Sequence, residues 1–87
     1  MTIAFPNASR SWDATRGVVR FWGHDSAIES SFVITSHALQ SIEPGIANDE
    51  DGMLAAFDRH RVQICAVAAR VYQRGGKNFY ELDVRHF

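Results

Sequence analysis

From Asp49 to Arg74 the apolar residues return at helical intervals. At the α-helical step of about 100° per residue, Met53, Phe57, His60, Arg61, Ile64, Ala68, Val71 and Tyr72 fall along one stripe, with Leu54 and Cys65 on its flank. The pattern predicts one long amphipathic helix over about 49–74. Asn48 is placed to cap its first N–H groups, and Asp49, Glu50 and Asp51 sit at the positive end of its dipole. Arg70, Arg74 and then Gly75-Gly76 mark the stop. The back of this helix is small and weakly polar, with Ala55, Val62, Ala66 and Ala69 clustered there. Two readings stand: this face packs on another element or subunit, or the alanines serve helix propensity alone.

Elsewhere the period is two. Thr2–Phe5 reads as a short strand ended by Pro6. Ser9–Thr15 reads as a turn or one helical turn that folds Trp12 back onto the body. Val18–Gly23 alternates, with Val19 and Phe21 on one face and Val18, Arg20 and Trp22 on the other. His24–Ala27 has turn composition, and Ile28–Thr35 alternates again, so the two strands predict an antiparallel hairpin. Ser36 then caps a short helical segment carrying Leu39 and Ile42 and halted at Pro44-Gly45. Asn78–His86 reads as the last strand, with Tyr80, Leu82 and Val84 apolar on one side. The expected fold is α+β: an antiparallel sheet of three or four strands, with one long helix (about 49–74) and a short helix on one face. The other sheet face carries Arg20, Glu29, Glu81, Asp83 and Arg85 and stays wet, pairing its charges across strands.

Composition narrows the class. The chain has 87 residues, 46% of them apolar, which predicts a single domain over 1–87 with a core that needs no staples. A single cysteine excludes an internal disulfide. No apolar run approaches the roughly 20 residues of a membrane span, and the first residues lack the basic start and apolar centre of a signal peptide. A cytoplasmic location is therefore expected. The formal charge of −1 argues against a general nucleic-acid binder.

The opening Ile3-x-Phe5-Pro6-Asn7, the strand Val18-x-Arg20-Phe21 and the segment Phe57-x-x-His60-Arg61-x-x-Ile64-x-x-Val67-Ala68 together resemble the small bacterial proteins grouped as domain-of-unknown-function family 1488. The resemblance spans nearly the whole chain. It implies a small α+β domain with no assigned activity, and it carries over no functional residue.

Three constellations bear chemistry. His60 and Arg61 interrupt the apolar stripe and are a candidate site for a small anion; alternatively they lie at the core margin with their polar ends in water. Arg20, Trp22, Phe79 and Arg85 form a candidate patch on the outer sheet face. It suits single-stranded nucleic acid through stacking, or a protein partner, or it is only a solvated charge ladder. Glu29, Glu81 and Asp83 share that face and repel phosphate. Ala55, Val62, Ala66 and Ala69 are the third candidate, as a helix-face interface. His24-Asp25 has the form of a base with its orienting carboxylate, but turn chemistry explains the pair. Cys65 sits mid-helix, away from any N-terminus that would activate it. The four histidines show no paired ligand spacing, so no metal and no cofactor is expected. With no catalytic constellation, the leading expectation is a non-enzymatic interaction module, a homodimer or the binder of an unidentified protein.

Overall fold

The computed structural model describes residues 3–6, 8–73, 76 and 78–87. Four strands form one mixed sheet in the order β1 (Ser11–Asp13), β2 (Val18–Asp25), β3 (Ile28–Thr35) and β4 (Phe79–Leu82). Three helices lie between β3 and β4 in the chain: α1 (Ser36–Ile42), α2 (Glu50–Arg59) and α3 (Arg61–Val71). A 3-10 turn, Val84–His86, follows β4.

The β2–β3 hairpin has the alternation expected of it, and β3 has the expected bounds. β2 runs two residues further than expected, to Asp25, so only Ser26 and Ala27 make the turn. Ser26 takes φ 58°, the left-handed conformation that a tight hairpin demands. Ser11–Asp13, expected as a turn, pairs with Val18–Arg20 and sends Trp12 inward opposite Val19. The expected first strand reduces to one bridge between Ala4 and His24; Thr2 lies outside the described residues.

Two larger expectations are corrected. The sheet is not all antiparallel, because β4 runs parallel to β3, starting opposite Ser31. The helices carry the chain from the end of β3 back towards its start, and a strand entering there must point the same way. The single helix over 49–74 is in fact two. His60, with φ −111° and ψ 19°, leaves helical space between α2 and α3. Phe57 and Ile64 are seven residues apart, two helical turns, so the apolar period passes through the break without a mark. Its end also differs: α3 stops at Val71, and Arg74 and Gly75 lie outside the described residues. Asp49, not Asn48, caps α2 by accepting from Gly52 N at 2.8 Å, and Thr35, not Ser36, caps α1. The last strand ends at Leu82, where the Asp83 carboxylate accepts from Arg85 N and His86 Nδ1 accepts from Asp83 N. This box turns the chain away and leaves Val84 exposed.

All three helices feed one core on the inner sheet face. Val19, Phe21, Phe32, Ile34, Tyr80 and Leu82 meet Ala38 and Leu39 of α1, Met53, Ala56 and Phe57 of α2, and Ile64, Val67 and Ala68 of α3. Ile3 and Phe5 close the core over Gly23. A Cβ at Gly23 would stand 2.7 Å from the Phe5 ring and 3.0 Å from Ile3 Cδ1, so glycine is required for this approach. Gly23→Ala is expected to destabilise the fold by about 1–3 kcal/mol through overpacking, measured by urea unfolding. An unchanged midpoint would mean that the Ile3–Phe5 segment does not hold this place in solution.

Candidate functional site

The sheet register decides what its outer face presents. Ser11, Arg20, Val33 and Glu81 form one row across the four strands; Trp22, Ser31 and Phe79 form the next. His24 and Glu29 make a third row, with His24 Nε2 3.7 Å from a Glu29 carboxylate oxygen. Val18 and Val33 are buried but stand outside the core cluster to which every helix contributes. Beside them Trp22 is half-buried, and Phe79 is 36% exposed. This face thus sets Trp22 and Phe79 among the charged Arg20, Glu29 and Glu81, with Val18 and Val33 already covered by their neighbours.

Arg20, Trp22 and Phe79 therefore share the outer face, with β3 between the first two and the third, but Arg85 is not part of the sheet. It lies in the 3-10 turn, where its guanidinium binds the Asp83 carboxylate through two hydrogen bonds of 3.1 and 3.0 Å. The Arg85 hydrogen bond holds Asp83 below the usual carboxylate range and raises Arg85 in turn, with Glu81 adding a weaker attraction. The expected ladder of Arg20, Glu29, Glu81, Asp83 and Arg85 is thus not a sheet feature as a whole. On the face Glu29 and Glu81 outnumber Arg20, so it offers no cationic track for a phosphate backbone.

The pair His60 and Arg61 is split by the helix break. His60 turns to Glu43, the residue that ends α1, with Nε2 2.8 Å from Oε1. Arg59 joins it on the same carboxylate through Nε at 3.0 Å and Nη2 at 2.5 Å. This triad ties α1 to the α2–α3 junction, and no spacing in the chain announces it, since Glu43 lies 16 and 17 residues from its partners. Arg61 instead lies with its guanidinium carbon 5.5 Å from the centre of the Phe57 ring. It also lines a shallow groove of about 420 Å³ with Ile3, Phe5, Val62, Cys65, Ala66 and Ala69. The small-residue face is thus one wall of this groove, with Val62 87% exposed, while Ala55 on α2 is exposed but does not line it. Burial pushes the Cys65 thiol up, against a weaker pull from Arg61, so the group is held protonated rather than poised for attack.

Strand alternation also parts His24 from Asp25. His24 faces out, while Asp25 is 2% exposed and accepts from the Tyr72 hydroxyl at 2.9 Å. The two do not form a base and its orienting carboxylate. The buried Asp25–Tyr72 contact is not visible in the sequence, because it joins residues 47 positions apart. Among the described residues no group of three or more His, Cys, Asp or Glu side chains is placed to hold a metal ion. No helix among them is long and apolar enough to cross a membrane.

These features define a small α+β protein with a four-stranded mixed sheet and three helices. The chain belongs to the family described as Protein of unknown function (DUF1488), which it matches over residues 3–83. No curated protein and no solved structure matches it.

The Glu43 triad gives a pH dependence of known sign. The hydrogen bond from Arg59, and then that from His60, holds the Glu43 carboxyl below its ordinary 4.5. The unfolded chain therefore binds a proton more readily than the folded one. The stabilisation is complete above the ordinary value and is lost as pH falls through the lower, folded one. In Glu43→Gln this dependence should be missing: thermal melting of the wild type should fall more steeply than that of the variant as pH drops through the carboxylate range. Parallel curves would mean that the triad does not form in solution.

Proposed function

We propose that this protein is a non-enzymatic interaction module that acts as a homodimer, and that the outer face of its sheet is the contact. The observation that carries this reading is the Trp22–Ser31–Phe79 row, set beside Val18 and Val33 on a face that no helix covers. Aromatic residues with arginine nearby are the groups enriched at protein contacts. Charge supports a protein partner over nucleic acid, because Glu29 and Glu81 stand with Arg20 on this face. The α3 groove is a poorer candidate, since its walls are mostly small side chains and it carries no large aromatic anchor beyond Phe5.

Solution mass tests the reading. Light scattering after size exclusion, over a range of loading concentrations, is expected to give a dimer that dissociates on dilution. Trp22→Glu is expected to give a monomer at every concentration, and Val62→Glu on α3 to leave the dimer intact. A wild-type monomer at the highest concentration would end the proposal. Loss of the dimer in Val62→Glu but not in Trp22→Glu would move the contact to the helix face.

A further inference from the structure

We infer that two copies pack sheet to sheet about a twofold axis running along β3, so that Trp22 of each protomer meets the partner's Phe79 and Arg20 meets the partner's Glu81. This rests on the self-association proposed above and adds its geometry.

The argument is one of symmetry. A homodimer of this kind is isologous, each residue meeting across the axis what its counterpart meets. A twofold lying between two facing sheets and parallel to a strand keeps every row and exchanges strands equally distant from the axis. β2 and β4 are the two neighbours of β3. An axis along β3 therefore exchanges them. The row Trp22, Ser31, Phe79 then meets Phe79, Ser31, Trp22, and the row Arg20, Val33, Glu81 meets Glu81, Val33, Arg20.

The result is complementary in shape and charge. The small Ser31 and the already buried Val33 lie on the axis, where the sheets approach. On either side a half-buried indole faces an exposed phenyl ring, as aromatic pairs favour at centroid separations of about 4.5–7 Å. Two ion pairs form outside them. Among the described residues Arg20 and Glu81 do not reach each other, being separated by β3 and Val33, and Glu81 feels only a weak attraction from Arg85. Facing sheets lie ~10 Å apart, a gap that an arginine and a glutamate span together.

Other axes fare worse. An axis along β2 would set Arg20 on Arg20. One midway between β2 and β3 would set Arg20 on Val33 and Trp22 on Ser31. One running across the strands between the two rows would set Arg20 on Trp22 and Glu81 on Phe79, stranding the charges. Only the β3 axis pairs both opposite charges and both rings. Its unfavourable row is the third, where Glu29 meets its own copy on the axis, with His24 beside each; this repulsion opposes the two ion pairs and weakens the dimer.

Size sets the strength. With strands ~4.8 Å apart and a rise of ~3.3 Å per residue, the four strands make a plane of roughly 360 Å². That is below the ~800 Å² of accessible surface each partner contributes to a standard interface, before side-chain relief is counted. A dimer that dissociates on dilution is the expected result.

The test is a charge exchange. Dissociation constants are measured by sedimentation for the wild type, Arg20→Glu, Glu81→Arg and the double variant, with thermal melting to confirm that each is folded. Each single reversal sets like charges together twice per dimer and is expected to weaken it by at least about tenfold. The double variant restores opposite charges and is expected to return within about threefold of wild type. Ser31→Arg, which puts two cations on the axis, is expected to abolish the dimer. A dimer indifferent to the single reversals, or a double variant weaker than either single, overturns this geometry while self-association stands. A monomeric wild type overturns both.

Discussion

The fold depends on a row of rings. Phe21, Phe32 and Tyr80 lie opposite one another on β2, β3 and β4, and they stack with centroids 5.4 and 5.3 Å apart at 21° and 19°. Phe57 of α2 leans on Phe21 at 5.1 Å, Phe5 fits against both Phe21 and Phe32, and Tyr72 meets Tyr80 edge-on. Each such pair contributes about 0.5–1.5 kcal/mol beyond the area it buries. More important is what the row joins: the hairpin, the parallel strand, the helical layer and the N-terminal segment all reach it. Register follows, since a slip of one residue would carry the rings to the open side.

The same registration creates the outer face. Because Phe21, Phe32 and Tyr80 point in, their successors or predecessors Trp22, Ser31 and Phe79 must point out, in a row of their own. The candidate contact is thus not an addition to the fold but its reverse side. This links the core to the proposed function: whatever fixes the inner rings also fixes the spacing of the outer ones, on the most regular and best-paired element of the molecule.

Much of this was legible in the chain. The two central strands, their faces, and the shared face of Arg20, Trp22 and Phe79 follow from a period of two alone. Other features were hidden for definite reasons. The break at His60 carries no glycine or proline, and its seven-residue spacing from Phe57 to Ile64 keeps the helical stripe in phase. The parallel sense of β4 depends on where the helices deliver the chain, which is a tertiary matter. Asp83 and His86 stop the last strand through a local box that alternation overrides on paper. Glu43 and Asp25 find their partners only after the layers have docked. Long-range polar contacts leave no periodicity, so pattern reading is blind to them.

The parallel strand also imposes an order on biogenesis. β4 can add to β3 only after α1, α2 and α3 have spanned the sheet, since they separate Thr35 from Phe79 in the chain. Until then β3 is an open edge, with Phe32 lacking the Tyr80 ring that stacks on it. Non-local pairings of this kind are slow to form. A polypeptide emerging from the ribosome therefore passes through an interval with a bare strand edge and a phenyl ring covered on one side only by Phe21 and Phe5, and that interval ends only when Phe79–Leu82 has been made.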